Sequence, residues 1–519
     1  MDFRQASMAR ISLLWSFYWV SAFINLSIAV ECGPIDYNAD TIERDVAIVG
    51  GGSSGTYTAI RLQQLGYSVA LIEKEDRLGG QTNTYVDPAT NRTFDYGVII
   101  LVNTTEVRNY FDHLKVPLAT FTGNVVANEK TLYADYARSM AIRNYTTNDA
   151  ALGGAYSRYI AQLEKYPYLS SGYHLPDPVP EELLMPYGDF LAKYDLGALA
   201  PDIFYINSGV GNILAQPALY MLKYFNLMQV SAGISHQLVT EANRDLQTLY
   251  DSALFRLGDN RQAFLESHIT SICRSSSGVT IQLQCSSGTK VIEARKLVMA
   301  VPPKLEILRP MLDLSPSEIQ AFQQFNNSYM WNAVISNTGF PFDTAIRNLD
   351  PQARFDVPAM PAMYGFAPGF SGLHSVWYGS ADYMTEDEAK VGMLDGARQA
   401  QRAFGYRSPN GTQPTLLRFH NHSPHGLTVC VDAIRNGFYR RINRLQGEQN
   451  TWWTGAAWET QSSSAIWDFT EREILPALVK SLGERTGNNS TLSNGTTIPR
   501  AAWKRYAHQT HGHKRGYHG

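Results

Sequence analysis

Residues Asp45 to Gln81, DVAIVGGGSSGTYTAIRLQQLGYSVALIEKEDRLGGQ, constrain the fold of this chain more than any other stretch. Val46 to Val49 form a short apolar run suited to a strand buried on both faces. Gly50, Gly52 and Gly55 follow at G-x-G-x-x-G spacing. The first permits a tight turn, the second lets backbone approach a pyrophosphate, and the third lets a helix pack closely on the sheet. The spacing predicts that helix from Ser54 to about Leu65, with its free N–H groups and positive dipole end turned toward phosphate. A second strand, Ser68 to Ile72, ends at Glu73, which stands at about the distance from the first glycine expected of a ribose-binding acid. Its carboxylate accepts ribose hydroxyls and repels a 2′-phosphate, so a dinucleotide without that phosphate is expected.

Arg77-Leu78-Gly79-Gly80-Gln81 adds a second glycine pair and a cation just beyond the acid. Two distant segments have the character of partners. His268 to Pro303 contains three short runs separated by polar turns, followed by a buried strand ending at Ala300-Val301-Pro302-Pro303. Asn450 to Phe469, NTWWTGAAWETQSSSAIWDF, reads as a strand over Thr451 to Thr454, a turn at Gly455 and a helix from Ser463.

Together these segments resemble the flavin amine oxidase superfamily, and most nearly the fungal β-cyclopiazonate dehydrogenase-like FAD-dependent oxidoreductases. The resemblance covers about Asp45 to Leu482. It implies an α/β fold, with a Rossmann-type FAD-binding domain interleaved with an α+β substrate domain. FAD is therefore the expected cofactor, held by Gly50, Gly52, Gly55, Glu73, Arg77, Gly79, Gly80 and Gln81. The resemblance also implies a backbone contact to the adenine near Ile269, and a flavin-side turn and helix start at Gly455, Ser463 and Ser464. Gln81 stands where the family has a second arginine, so the phosphate side carries a neutral amide. The lysine that the amine oxidases of this superfamily place near the flavin has no match here.

A chain of 519 residues exceeds the size at which one core keeps growing, so two lobes are expected. The FAD-binding segments are expected near 40–115, 245–305 and 430–484, and the substrate-lobe segments over 116–244 and 306–429. A net charge of −3 and the lack of a basic cluster with interleaved aromatics exclude a nucleic-acid partner from the expectations. Leu183 to Lys193 and Gln216 to Met228 read as helices. Ser315 to Glu318 and Thr385 to Glu388 fit capping boxes that open two more. Residues 485–519 are polar and read as a disordered tail.

Arg4 and Arg10 precede an apolar run, Ile11 to Val30, with Ser27 and Ala29 at signal-peptidase spacing. Residues 1–29 read as a cleaved secretory leader. The alternative is an uncleaved membrane anchor, since roughly 20 residues span a bilayer. Secretion agrees with the sequons at Asn91, Asn103, Asn144, Asn326, Asn410, Asn421, Asn488, Asn489 and Asn494. Pro424 disfavours use of Asn421. The four cysteines show no metal-binding spacing, and no metal is expected. Two readings remain for them: a Cys273–Cys285 bridge across the strands of 268–303, or buried free thiols.

Met360 to Tyr383 places Tyr364, Trp377 and Tyr378 among glycines and methionines, either as an apolar pocket or as a core strand. The resulting expectation is two-electron oxidation of a small apolar or alkaloid-like metabolite, with oxygen or another acceptor taking the electrons. Oxidative cyclisation is implied by the family alone. A flavin-dependent polyenoic fatty acid isomerase and a flavin-binding protein without catalysis are the alternatives.

Overall fold

The computed structural model describes residues 32–36, 38–123, 129–143, 145, 149–258, 262–370 and 372–483. The expected leader, the tail, Asn144, Asn488, Asn489 and Asn494 lie outside the described residues.

Among the described residues, a seven-stranded sheet is built on Asp40–Val49, which runs parallel to Val69–Ile72 on one side and Gly288–Met299 on the other. Ala263–Phe264 extends it beyond Val69–Ile72. Val46, Ala47 and Ile48 are fully buried, as a parallel strand covered on both faces must be. The helix Ser53–Gln64 returns from this strand to the sheet.

The third short run of the His268 to Pro303 segment and the buried strand after it are one strand, Gly288–Met299. Its first half pairs with Val279–Cys285, and its last three residues pair with Thr451–Trp453. Two successive neighbours along one edge satisfy the ladder, so no turn is needed between the halves.

A second, eight-stranded sheet runs in the order Thr415–Asn421, Asn326–Ser336, His374–Ser380, Ala362–Pro368, Thr344–Asn348, Lys130–Asp135 and Met140–Ala141, with His425–Thr428 also on Asn326–Ser336. One face carries Trp331, Ala333, Val376 and Tyr378 under the helix Glu386–Phe404, which forms a separate core. The opposite face meets the hairpin of Thr84–Val86 and Thr93–Asp95 through Val334, Tyr85, Phe94 and Phe370. A small sheet joins Leu101–Val102 to Leu238–Glu241 and Leu118–Thr120, so it crosses the chain positions at which a lobe boundary was expected.

Both expected capping boxes form, at Ser315 with Glu318 and at Thr385 with Glu388. The two helices expected over 183–193 and 216–228 are each divided. Pro186 holds the residue before it extended, separating Glu181–Leu184 from Tyr187–Lys193. Asn226 caps a new helix, Leu227–Ile234, by accepting from the Gln229 amide and so ends Ala218–Tyr224.

The cysteine expectation needs correction as well. Cys273 is bridged to Cys32, with Cα atoms 5.2 Å apart, while Cys285 and Cys430 are free. Register explains the choice: Cys273 lies opposite Thr280, so Cys285 is five residues further along the neighbouring strand, roughly 17 Å away. Cys430 is exposed rather than buried.

Candidate cofactor and substrate site

The glycine motif forms a cradle with very little spare volume. Gly50 has φ +101°, and a Cβ there would lie 2.9 Å from Val301 and 3.0 Å from the Ala300 carbonyl. A Cβ on Gly55 would collide with the Gly50 carbonyl oxygen. Gly80, at φ +54°, faces Gly52 so closely that its Cβ would sit 3.0 Å from the Gly52 Cα. Gly79 donates its amide to the Gly51 carbonyl at 2.8 Å, which holds the two glycine loops together.

No side chain caps the helix Ser53–Gln64, and no acid stands in its first turn. Its amide end is therefore open to an anion from outside the chain. Glu73 is buried and accepts from the amides of Gly51 at 2.6 Å and Glu75 at 2.9 Å. These two bonds fix the carboxylate beside the glycine turn. The bare glycine surfaces, uncapped helix and buried acid fit a dinucleotide with a free ribose.

Ile269 lies on the strand His268–Arg274. The preceding Ser267 donates its amide to the Glu73 carbonyl at 3.0 Å, so this strand begins beside the acid. Gly455 has φ +112° and faces Ser54. Ser463 and Ser53 hydroxyls meet at 2.8 Å, which brings the starts of the two helices together, and Trp467 donates its indole N–H to the Ser53 hydroxyl at 3.0 Å. Ser464 points elsewhere: its hydroxyl accepts from the Val102 amide at 2.9 Å and ties the small sheet to this helix.

The Arg77 and Gln81 side chains both find partners within the chain. The Arg77 guanidinium braces its own loop, donating to the Thr82 carbonyl, the Gln247 side chain and Asn83 Oδ1, each at 2.8 Å. Gln81 donates its amide to the His422 carbonyl at 3.1 Å and so reaches the second sheet. Gln81 thereby connects the loop that carries Gly79 and Gly80 to the end of the second sheet.

The three expected pocket residues do not gather. Tyr378 faces the helix Glu386–Phe404, because alternate residues of a strand point to opposite faces. Trp377 is on the face turned toward the loop and packs edge-on against Tyr205. Tyr364 is fully buried, and its hydroxyl accepts from the Gly209 amide at 2.9 Å. Burial raises its pKa.

Two features escaped the sequence reading. Lys223 and Glu459 form a wholly buried pair beside the Gly455 turn. The sequence did contain a signal, a lysine embedded in the apolar run Leu219 to Phe225. The second feature is a histidine pair, His420 and His422, with Asn83 donating to His422 Nε2 at 2.8 Å. Burial holds His422 well below the usual histidine range, and nearby His420, His425 and Arg77 add to that effect. The i, i+2 spacing of these histidines, which puts both on one side of an extended chain, was the available signal.

Residues 48–114 match the family described as the NAD(P)-binding Rossmann-like domain. The chain is 35% identical to the FAD-dependent oxidoreductase oblC of Cochliobolus heterostrophus, over 86% of this chain and 93% of that protein. It is 32% identical to the beta-cyclopiazonate dehydrogenase of Aspergillus flavus, over 85% of this chain and 94% of that one. Its fold is similar to that of a CLA-producing fatty acid isomerase from P. acnes, with a TM-score of 0.66 over 85% of this chain and all of that one, at 17% identity. Full-length similarity at this identity, on a chain whose glycine loops and buried acid are shaped for a dinucleotide, makes this protein a member of the FAD-dependent oxidoreductase family.

Proposed function

We propose that this FAD-dependent enzyme removes two electrons from a small, largely apolar or alkaloid-like secondary metabolite within the secretory pathway. The observation that carries the reading is the Gly52–Gly80 approach, which lies on the loop that also contacts the second sheet through Gln81 and Asn83. FAD, when bound, supplies the two-electron acceptor for the C–H bond that breaks. Glu73 holds the ribose, the glycine loops and the open helix end hold the pyrophosphate, and Gly455 with Ser463 closes the flavin side. Trp377 offers the apolar surface on which the substrate lies. The similarity to beta-cyclopiazonate dehydrogenase supports an alkaloid-like substrate.

The Cys32–Cys273 bridge supports the secretory reading, since such bridges persist in oxidising compartments. Among the sequons, Asn91, Asn326, Asn410 and Asn421 are exposed, whereas Asn103 is half-buried and bonds Gln237 at 3.1 Å. Asn91 and Asn410 are thus the first candidates for glycans.

The test is the absorption spectrum of protein expressed without residues 1–29, followed by anaerobic addition of β-cyclopiazonate and related alkaloids. Bleaching of a bound flavin, with oxygen uptake on re-aeration, is the expected result and identifies oxygen as an acceptor. Turnover without net electron transfer would replace oxidation with isomerisation. A folded protein that takes up no flavin would overturn the reading.

A further inference from the structure

A cleft of about 290 Å³ lies between two parts of the chain that are far apart in sequence. Leu184, Pro186 and Pro217 line it from one part, and Val429 and Val431 line it from the other. Both walls are held without a ligand. Pro186 and Pro217 pair as an isolated bridge, and the Val429 amide donates to the Tyr220 hydroxyl at 2.8 Å. The volume is close to the roughly 300 Å³ at which small-ligand pockets begin.

Asn326, Thr428 and Gln216 complete the lining and are all at least partly exposed. Gln216 donates its Nε2 to the Val210 carbonyl at 3.2 Å, which leaves its Oε1 free to accept. Among the described residues, no hydrogen bond engages the Asn326 side chain or the Thr428 hydroxyl. These two residues stand directly opposite each other on antiparallel strands, so their side chains share one face.

Asn326 also opens the sequon Asn326-Asn327-Ser328. The other described sequons have no such setting. Asn103 is bonded to Gln237 and Asn421 to Glu386, while Asn91 and Asn410 lie at positive φ and line no cleft of this kind.

From this juxtaposition we propose that the cleft seats the first N-acetylglucosamine of a glycan attached to Asn326. The proposal rests on the secretory reading. Attachment draws on a lipid-linked oligosaccharide diphosphate: a bond forms between Asn326 Nδ2 and C1 of the sugar, the C1–O bond to the diphosphate breaks, and the amide proton leaves with no electrons exchanged. The sequon hydroxyl of Ser328 is buried and donates to the Gly209 carbonyl, so transfer precedes folding. In the folded chain the C–H face of the sugar lies against the prolines and valines. Its acetamido N–H donates to Gln216 Oε1, and its carbonyl accepts from the Thr428 hydroxyl. The seated sugar covers Cys430, an exposed thiol on the same lining.

The test expresses the full chain in a glycosylating secretory host, maps the sequons by mass spectrometry, and follows alkylation of Cys430 in the folded protein by iodoacetamide. Glycan is expected on Asn326. Cys430 is expected to react at least about tenfold faster in Asn326→Gln, the ratio maintained by a sugar held through one or two net hydrogen bonds. Asn410→Gln should leave the rate unchanged, and Cys285 should react equally in every sample. Trimming the glycan to a single sugar should keep the protection, since the first sugar fills the cleft. If Asn326→Gln is not secreted, the comparison is made on the parent protein before and after complete enzymatic deglycosylation. Equal Cys430 rates with and without the glycan, or loss of protection on trimming to one sugar, would overturn the proposal. So would a bare Asn326 beside a glycosylated Asn91 or Asn410. Bare asparagines at every sequon would instead remove the secretory reading, and this proposal with it.

Discussion

Lys223 donates to Glu459 at 2.5 Å, with neither side chain exposed to solvent. The Lys223 ammonium also reaches the Leu169 carbonyl at 2.9 Å, and the Gly172 amide donates to the other Glu459 oxygen at 2.5 Å. Burial pushes Lys223 down and raises Glu459 to about 7, so both shifts move the pair toward a shared proton. Glu459 follows directly on Trp458 and donates its amide to the Gly455 carbonyl. The pair thereby anchors the Gly455 turn to the helix Ala218–Tyr224.

Lys223→Met leaves a buried acid without its cation, a change that costs about 3–5 kcal/mol. A large fall in melting temperature is expected at pH 8. The fall is smaller at pH 6, because Glu459 then takes up a proton and becomes neutral. Adding Glu459→Gln to Lys223→Met is expected to recover much of the loss and to remove its pH dependence. Thermal scans of the single and double variants at the two pH values check this.

Gly80→Ala tests the cradle. An alanine at φ +54° costs about 1–2 kcal/mol in backbone terms. Its Cβ would also lie 3.0 Å from the Gly52 Cα, on the surface proposed for the pyrophosphate. FAD affinity is expected to fall at least about tenfold while the fold survives. Gly405→Ala is the control: its φ is +72° with no atom within 4 Å, so it is strained without obstructing anything. It should melt earlier and keep its flavin.

Cys32→Ser removes a bridge that spans 241 residues of sequence. A loss of about 2–4 kcal/mol is expected, with the flavin retained, since the bridge ties the chain before the first strand to the outer strand His268–Arg274 rather than to the glycine turn. Reductant should lower the melting temperature of the parent protein and leave Cys32→Ser unmoved. Cys285→Ser should match the parent in both conditions.

Asp95 gives a pH signature of known sign. Its carboxyl accepts from Thr84 at 2.5 Å and from the Leu246 amide at 3.0 Å, yet burial dominates and raises it to about 7. A folded-state value above the ordinary 3.8 means that the folded chain holds a proton the unfolded chain releases. This stabilising contribution is complete below about pH 4 and is lost as pH rises through 7. Asp95→Asn should flatten the stability profile between pH 5 and 8, measured by denaturant unfolding at fixed salt.

The local chain order made much of the FAD-binding half legible. Glycine spacing, an apolar run too short for a helix and an acid at the end of the next strand are all properties of neighbouring residues, and so are capping boxes. The parallel strands Asp40–Val49 and Val69–Ile72, the helix between them and the loop at Gly79 and Gly80 follow from them. The substrate side was less legible because its contacts join residues far apart in sequence. The separation of Tyr378 from Trp377 depends on which face of the second sheet the helix Glu386–Phe404 covers.

Sequence alone determined that a dinucleotide turn exists, that an acid accompanies it and that aromatic segments return to it near the C-terminus. Only tertiary structure decided that Cys273 meets Cys32, that Lys223 lies against Glu459, and that Arg77 braces its own loop. The physical reason is that a glycine's φ is set by its adjacent peptides, whereas a side chain's partner is set by packing and register between distant strands. Asn332 is the clearest instance: nothing in NNSYMWNAVIS marks it, and only the strand register sets it opposite both Trp377 and His420.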